Sequence, residues 1–408
     1  MLIDRLNVHN YRCLADTSLL LGTVSVFFGP NGAGKSTLLD SVWFLRDIAI
    51  RGLQQAARFR SLGSELSPAS EDNGPFQFLG VDLSSGCAKL GVIISWDKEG
   101  MAPYPAERFD ISNGESYTVY DRSGHLRNNP VVYFFDDDGN VNIDKERFLK
   151  LPEPDQLALP LVAAQAGASP HLVRMNNLLR SVRFFASRDI SLKKLQRFGS
   201  ATDGPIQSLS EDCSNIWAVL RQLHDKQRID KRYKVIESYL QRAFPRFDGM
   251  IFEQSGPNEV IGFFLEKNRR EPLRASATPD GYLQMLILMT LLFSAPSGQE
   301  TLLLLDEPDL SLHPWALFVL AEAIEDATKN WGRQVMMATH SPTLLNAFPE
   351  DSLYLMTPQE GRTTIQRVSE MVEPKELLRQ YGAGYLYMSQ LIGEQSPEQM
   401  AEVVDADR

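Results

Sequence analysis

Near its amino terminus the chain reads Gly29-Pro30-Asn31-Gly32-Ala33-Gly34-Lys35-Ser36-Thr37. The apolar run at residues 24–28 predicts a strand before this segment, and the apolar spacing of residues 36–46 predicts a helix after it. A strand, a G-x-x-x-x-G-K-[ST] loop and a helix in this order are typical of a loop whose backbone N–H groups surround a polyphosphate. The sequence therefore predicts a phosphate-binding loop over residues 29–37, against the alternative of a glycine-rich turn that matches by chance.

The residues of this loop have separate expected roles. Glycines let the backbone approach the anion without side-chain clashes, and the following helix directs its positive end at the same charge. We expect Lys35 to contact the β- and γ-phosphates, Ser36 to bind Mg²⁺, and Thr37 to lie beside the α-phosphate. Each residue from 29 to 37 is therefore a candidate nucleotide contact.

A second motif is acidic and follows an apolar run, Thr301-Leu302-Leu303-Leu304-Leu305-Asp306-Glu307. Four consecutive leucines predict a central parallel strand that is buried on both faces, and open α/β sheets bind ligands at the carboxyl ends of such strands. We expect Asp306 to hold Mg²⁺ and Glu307 to act as the general base. A solvated acidic turn is the alternative, but phosphoryl transfer needs both a phosphate clamp and a metal holder, so the Lys35 loop favours the catalytic interpretation.

A histidine follows the next predicted strand, residues 334–338, in the segment Thr339-His340-Ser341-Pro342. An imidazole at this place is expected to contact the γ-phosphate or the attacking water. A histidine at a strand end is more often a polar residue without such a role. Its position one strand after Asp306-Glu307 favours the functional interpretation.

The pattern of elements predicts an α/β fold of several parts. Residues 77–135 predict an antiparallel β meander, and residues 141–250 predict helices that prolines interrupt too often for a coiled-coil arm. From residue 250 onward a strand region is followed by alternating helices and strands, which predicts a parallel sheet with crossover connections. This pattern divides the chain into an N-terminal part with the phosphate loop and the β meander (1–140), an inserted helical lobe (141–250), a C-terminal part with the acidic and histidine motifs (251–393) and a polar, acidic tail (394–408).

Several motifs together resemble those of the ABC-type ATPases, and within them the RecF/SMC/OLD-like branch. Residues 10–14 (NYRCL) are similar to that branch's NFRSL stretch, residues 306–314 (DEPDLSLHP) to its EEPExxLHP pattern, and residues 339–342 to its THSP switch. Residues 384–387 (GYLY) are similar to the GELW-like segment of its compact stand-alone, AAA-like ATPases. The resemblance runs from end to end of the chain.

This resemblance implies an enzyme that binds ATP and Mg²⁺ and hydrolyses ATP. It also implies a homodimer in which two heads sandwich the nucleotide, with Arg12 as a nucleotide contact. The signature segment corresponds to residues 277–284, so Asp280 and Gly281 are expected to reach the ATP held by the other head. Pro279 stands where the family commonly has a serine, which removes a hydroxyl contact to the γ-phosphate but leaves the backbone and helix-dipole contact.

Composition limits the remaining possibilities. The chain has 408 residues, a net charge of −11 and three well-separated cysteines, which favours an acidic globular protein of the reducing cytoplasm without a disulfide framework. We expect no membrane span and no signal peptide, and no motif typical of a protease, an esterase or a zinc enzyme is present. Residues 341–408 are expected to be too few for an appended nuclease domain. An aspartate-rich segment, residues 136–140, fits a hairpin turn better than a calcium loop, because Val141 stands where that loop needs glycine.

One basic run suggests a partner. Its cations, Lys226, Arg228, Lys231, Arg232 and Lys234, predict contact with a DNA backbone, although such a run is more often a solvated helix face. Two functions remain open. The first is an ATPase whose dimer closure acts on DNA or on a partner protein in repair or phage defence. The second is a nucleotide-gated scaffold with little turnover that controls a separately encoded effector nuclease.

Overall fold

The computed structural model describes residues 2–60, 77–97, 100–101, 106–111, 116–120, 131–135, 155–165, 167–202, 208–296, 298–359, 361–371, 382–389 and 392. The chain divides into two compact units. Unit 1 comprises Met1–Gly22, Gly29–Val182 and Met356–Ile365, and unit 2 comprises Thr23–Phe28, Arg183–Leu355 and Gln366–Arg408.

The strands are β1 (Arg5–Tyr11), β2 (Leu14–Leu20), β3 (Val24–Phe28), β4 (Gln77–Ser85), β5 (Ala88–Asp97), β6 (Gly100–Met101), β7 (Ala106–Ile111), β8 (Ser116–Tyr120), β9 (Val131–Phe135), β10 (Arg183–Ala186), β11 (Ser200–Ala201), β12 (Phe247–Gly256), β13 (Glu259–Glu266), β14 (Leu273–Arg274), β15 (Thr301–Asp306), β16 (Arg333–Ala338), β17 (Leu353–Gln359) and β18 (Arg362–Arg367). The helices are α1 (Lys35–Arg51), α2 (Leu53–Arg58), α3 (Leu159–Ala163), α4 (Pro170–Ser181), α5 (Leu192–Arg197), α6 (Ile216–Asp225), α7 (Arg232–Ala243), α8 (Asp280–Phe293), α9 (Pro314–Asn330), α10 (Pro342–Ala347) and α11 (Ala383–Met388).

Unit 1 contains an antiparallel sheet with the strand order β2-β1-β4-β5-β7-β8-β9, in which β6 also pairs with β5. Apolar side chains alternate along the strands and meet across them. Leu83, for example, lies opposite Leu6 on one side and Leu90 on the other, and all three are buried. This alternation buries one face of the sheet, as a half-buried antiparallel sheet requires. The predicted meander over residues 77–135 is confirmed, and β1 and β2 extend it.

Helix α1 of unit 1 is held by a buried ionic network. Arg60 donates to Asp40 on α1 at 2.7 Å and to Asp47, about two turns further along the same helix, at 3.1 Å. The guanidinium is only 5% exposed, and it also lies over the Phe44 ring. Because charges taken out of water are stable only when they are paired, Arg60 and the two aspartates depend on one another.

Unit 2 contains a parallel sheet with the order β10-β15-β16-β3-β17, and β18 pairs with β17 beyond residue 355. The register places Asp306 opposite Ala338, and Ala338 opposite Phe27, so the carboxyl ends of β15, β16 and β3 lie at one edge. The four leucines of β15 are each at most 1% exposed. The prediction that residues 301–305 form a central strand buried on both faces is therefore confirmed.

Two helices of unit 2 cover this sheet with apolar surface. Helix α8 is buried on nearly its whole circumference from Leu283 to Phe293, because its sequence is almost continuously apolar. Helix α9 packs against α8 and β16, with its buried residues on one face. A smaller antiparallel sheet has the order β11-β13-β12, and β14 also pairs with β13. Trp217 of α6 packs on this sheet at Gly262 of β13, where any side chain would overlap the indole ring.

One prediction about the middle of the chain is wrong. Residues 183–186 were expected to lie among helices, but they form β10, an edge strand that pairs in parallel with β15. Four residues are too few to show a period of their own, and the partner strand lies far along the sequence. Helices α3 and α4 belong to unit 1 and α5 to α7 to unit 2, while the predicted boundaries at 140, 250 and 393 remain predictions.

Three further predictions concern an aspartate-rich turn, the C-terminal tail and membrane-spanning helices. The aspartate-rich segment 136–140 and the tail 394–408 lie outside the described residues. Among the helices that the structure does describe, none is long and apolar enough to cross a membrane.

The Arg60 network gives a test of unit 1. We expect Arg60→Ala to lower the free energy of unfolding by about 3–5 kcal/mol, because Asp40 and Asp47 lose their buried counter-ion. Arg58→Ala removes an exposed arginine from α2 and provides the control. Urea denaturation of both variants measures the difference, and equal small losses would contradict the role given to Arg60.

Candidate nucleotide-binding and catalytic site

The phosphate loop begins at Gly29, the residue after β3, and ends where α1 begins at Lys35. Two of its glycines are sterically required. Gly29 has φ +150°, and a side chain there would overlap the Met356 carbonyl oxygen. Gly34 has φ +84°, and a Cβ would lie 2.6 Å from Cys13 Sγ. The loop therefore has the strand–loop–helix context that the sequence predicted, with backbone geometry open only to glycine at these two positions.

Lys35 is buried within the loop. Its ammonium group donates to the carbonyl oxygens of Gly29 and Pro30, both at 2.9 Å. Helix α1 has no acidic residue in its first turn and no side-chain hydrogen bond from its N-cap residue, Gly34, so no carboxylate of that turn offsets its positive dipole end. This combination of a lysine, glycine backbone and an uncapped helix start is suited to an anion with several oxygens.

Arg12 belongs to the same unit as the loop. It has φ +52°, and its guanidinium lies 3.6 Å from the carboxylate of Asp40 on α1. Asp40 also accepts a hydrogen bond from Tyr11 at 2.7 Å, so the turn between β1 and β2 is attached to α1. Arg12 remains a candidate nucleotide contact.

The acidic pair lies at the carboxyl end of β15. Asp306 is the last residue of the strand, and Glu307 has φ +49°, a left-handed conformation that is uncommon outside glycine. The Glu307 N–H donates to the Ala338 carbonyl oxygen at 2.9 Å. Its carboxylate accepts from Arg188 Nη2, with distances of 3.0 Å to Oε1 and 2.7 Å to Oε2.

His340 lies beside Glu307, while its predicted contact with the γ-phosphate or the attacking water stays a prediction. Its Nε2 atom is 3.9 Å from Glu307 Oε1, and its Nδ1 atom is 3.5 Å from the Tyr387 hydroxyl. Tyr387 also makes an edge contact with Phe28, the last residue of β3. Neighbouring strands thus bring Glu307 and His340 together, and Tyr387 of α11 reaches the far side of the imidazole.

A buried carboxyl group stabilises the segments after β15 and β16. Thr339 donates to Asp309 Oδ1 at 2.6 Å, while the Thr339 hydroxyl accepts from the Ser341 N–H at 2.9 Å. Burial raises the pKa of Asp309 and the nearby negative charge of Glu307 adds to this, although the Thr339 hydrogen bond and His340 oppose it. Asp309 therefore connects the acidic motif to the histidine motif.

The signature-like segment begins α8. Pro279 precedes the helix, and Asp280 accepts a hydrogen bond from Gln196 at 2.8 Å. A Cβ at Gly281 would lie 2.8 Å from the Ser311 carbonyl oxygen, so only glycine allows this approach to the segment after β15. The proposed reach of Asp280 and Gly281 to a second head stays a prediction.

Sequence reasoning missed Ser187, Arg188 and Gln284. Ser187 and Arg188 directly follow β10, whose Ala186 lies opposite Asp306 in the sheet. Their signal was a short apolar run followed by polar residues, the pattern that marked β15 and β16. The prediction of helices over residues 141–250 hides this signal. Gln284 lies in the signature-like segment, of which the resemblance implies nucleotide contacts only for Asp280 and Gly281.

The cations of the basic run lie in two different environments. Lys226, Arg228, Lys231 and Lys234 are exposed around the start of α7. Arg232 instead turns inward, where it binds the Asp230 carboxylate and the Ser294 carbonyl oxygen. The prediction that Arg232 contacts DNA conflicts with this placement, because its side chain is only 19% exposed and its guanidinium faces Asp230 and Ser294.

The fold is that of a P-loop ATPase head of the ABC type, in which a glycine loop follows β3, acids follow β15 and a histidine follows β16. The chain belongs to the family described as “AAA domain, putative AbiEii toxin, Type IV TA system”, which matches residues 24–346. The expected membership of the RecF/SMC/OLD-like branch is confirmed by this match and by the relatives given next.

The Old nuclease of Escherichia phage P2 is 21% identical over 393 residues, which cover 90% of this chain and 61% of the nuclease. The OLD nuclease of Thermus scotoductus (strain ATCC 700910 / SA-01) is 49% identical over 41 residues, 10% of this chain and 8% of that protein. The chain thus spans less than two thirds of either relative. The SMC head that was solved bound to the C-winged helix domain of ScpA has 13% identity and a TM-score of 0.53, covering 90% of this chain and 98% of that one. This likeness confirms the head fold.

The raised pKa of Asp309 predicts a pH dependence of stability. Because the folded state favours the neutral carboxyl group, its stabilising contribution is complete below the unfolded pKa and is lost as pH rises through the folded pKa. Asp309→Asn keeps the acceptor for Thr339 but cannot ionise. We expect this variant to be more stable than wild type at neutral pH and to lose that advantage in acid.

Unfolding free energies measured by urea denaturation across this pH range provide the test. Asp248→Asn, at an exposed aspartate, is the control. A stability difference between Asp309→Asn and wild type that does not change with pH would contradict the assignment.

Proposed function

We propose that this protein binds ATP with Mg²⁺ and hydrolyses it, and that two heads close on the nucleotide as a homodimer that acts on DNA or on a partner protein. The observation that carries this proposal is the alignment of three strand ends in one parallel sheet. At the edge where β3, β15 and β16 end, each strand continues into a motif: the phosphate loop, the acidic pair and His340. Phosphoryl transfer uses a phosphate clamp, a metal holder and a group that activates water.

The chain's own residues have distinct tasks in this reaction. The N–H groups of the loop and Lys35 bind the phosphates. Ser36 and Asp306 offer the oxygen donors that Mg²⁺ prefers, and the ion when bound neutralises phosphate charge. Glu307 accepts a proton from water, and His340 orients the water or contacts the γ-phosphate.

Two features support the alternative of a nucleotide-gated scaffold with little turnover. Pro279 provides no hydroxyl group at the start of α8, and the Glu307 carboxylate is engaged by Arg188. The Arg188 contact uses acceptor sites of the carboxylate that a water molecule would otherwise use. In this alternative the chain controls an effector nuclease, a class suggested by the nuclease relatives.

The first test separates binding from turnover. We expect Glu307→Gln to retain ATP affinity but to lose turnover by roughly a hundredfold or more, because the amide cannot act as a base. We expect Lys35→Ala to lose nucleotide affinity. Glu325→Gln, at a partly exposed carboxylate paired with Lys329 on α9, is the control for the first change.

Three measurements decide this test: equilibrium binding of a fluorescent ATP analogue, steady-state phosphate release, and size-exclusion chromatography with Mg-ATP. The Glu307→Gln protein should accumulate as a dimer, since it binds ATP and does not hydrolyse it. Unchanged turnover in Glu307→Gln would refute the assignment of the base, and unchanged affinity in Lys35→Ala would refute the loop.

The second test concerns DNA. We expect the triple variant Lys226→Glu, Arg228→Glu, Lys231→Glu to weaken DNA binding by at least about tenfold and to reduce its salt dependence, because three phosphate contacts are lost. Arg232→Gln is the matched control from the same run, since its guanidinium serves Asp230 and Ser294.

Fluorescence anisotropy with duplex DNA at two salt concentrations measures the affinity, and ATP turnover with and without DNA measures the coupling. Turnover that DNA stimulates in wild type but not in the triple variant supports action on DNA. A slow rate that is indifferent to DNA favours the scaffold.

A further inference from the structure

Ser187 contacts the main chain of both residues of the acidic pair. Its N–H donates to the Asp306 carbonyl oxygen at 3.2 Å, and its hydroxyl donates to the Glu307 carbonyl oxygen at 2.6 Å. The position follows from the sheet: Ala186, the residue before, lies opposite Asp306 where β10 and β15 pair. Ser187 is therefore attached to the acidic motif through two consecutive peptide groups.

Ser187 is in turn oriented by Gln284. The Gln284 Nε2 group donates to the Ser187 hydroxyl oxygen at 2.6 Å, so the hydroxyl accepts one hydrogen bond and donates another. Gln284 is 2% exposed and Ser187 is 7% exposed, so water does not readily replace either partner. Hydrogen bonds in such a chain polarise one another, which strengthens the bond to the Glu307 carbonyl.

The conformation that this chain supports is an unfavourable one. Glu307 is a non-glycine residue at φ +49°, and a side chain in the left-handed region persists only when surrounding contacts impose it. Three hydrogen bonds hold the Glu307 backbone: its N–H donates to Ala338, and its carbonyl oxygen accepts from the Ser187 hydroxyl at 2.6 Å and from the Leu310 N–H at 3.3 Å. If the Ser187 contact is lost, the longer Leu310 bond is left on that oxygen, so the peptide after Glu307 is less constrained and the direction of the carboxylate can change with it.

We propose that Ser187, oriented by Gln284, is a positioning residue that sets the direction of the Glu307 carboxylate. This inference rests on the proposed ATPase function and adds two residues to it that act through the backbone of Glu307. The Gln284 contact also ties this positioning to α8, the helix that starts with Asp280 and Gly281.

The decisive variant is Ser187→Ala, which removes the hydroxyl and leaves the backbone N–H. We expect kcat for ATP hydrolysis to fall by at least about tenfold, because a small misplacement of a catalytic group is costly. We expect KM for ATP to stay within about twofold, since no nucleotide contact is removed. Gln284→Met, similar in length but without the amide, should lower kcat in the same direction by less, and Ser187→Thr should restore most of the rate.

Ser200→Ala provides a matched control. Ser200 is also buried in unit 2, donates to the Ser214 carbonyl oxygen at 2.7 Å and accepts from the Trp217 N–H at 3.1 Å. The two alanine variants lose the same kinds of hydrogen bond, so a comparable loss of stability is expected from both. Only Ser187→Ala should lower kcat beyond what that loss explains.

A double variant tests whether Ser187 acts through Glu307. In the Glu307→Gln background, residual turnover measured with enzyme in excess should be unchanged by Ser187→Ala, because the base that Ser187 positions is gone. Equal kcat values for Ser187→Ala and Ser200→Ala, or a further full loss in the double variant, would overturn the inference.

Different results would defeat the proposed ATPase function and the proposed positioning role of Ser187. A wild-type protein that does not hydrolyse ATP defeats the ATPase function, and the positioning role falls with it. A wild-type protein that hydrolyses ATP and is inactivated by Glu307→Gln, but is indifferent to Ser187→Ala and Gln284→Met, defeats the positioning role alone. Should Ser187→Ala not fold, Gln284→Met and Ser187→Thr still give the kcat and KM comparison.

Discussion

A parallel sheet directs every strand to end at the same edge, and this constraint organises the candidate site. Because β3, β15 and β16 are neighbours in one sheet, the residues after each strand emerge at that edge without any special local structure. Buried leucines in β15 secure the register, since a slip by one residue would expose apolar side chains and move the acidic pair. The chemistry of the site thus depends on the packing of side chains that take no part in it.

A fourth strand, β10, pairs in parallel with β15 and therefore ends at the same edge. Its end delivers Ser187 and Arg188 to the acidic pair, one to the backbone and one to the carboxylate of Glu307. The Arg188 side chain is 74% exposed, so its ion pair with Glu307 is screened by water and adds little to stability. Both carboxylate oxygens of Glu307 nevertheless lie within 3.0 Å of Arg188 Nη2, so this exposed side chain occupies the space beside them.

Buried polar groups elsewhere show how the fold is maintained around the site. Arg60 and its two aspartates hold α1 in unit 1, and Asp309 with Thr339 connects the segments after β15 and β16 in unit 2. In each case the buried charge or hydroxyl has a partner, which is the condition for polar groups in a low-dielectric interior. Removal of one partner is costly because the other remains buried.

The amino-acid sequence alone determined the motifs and the elements that carry them. The phosphate loop, the acidic pair and His340 each follow an apolar run that is long enough to show its own pattern, and a local pattern needs no knowledge of the rest of the chain. Only the tertiary structure decided which other residues join them. The strand β10 has four residues and depends on a partner more than a hundred positions away, so the short apolar run before Ser187 and Arg188 did not by itself indicate their place beside Glu307. The contact of Arg232 with Ser294 and those of the Glu307 backbone with Ala338 and Ser187 were hidden for the same reason: each joins segments that are distant in sequence.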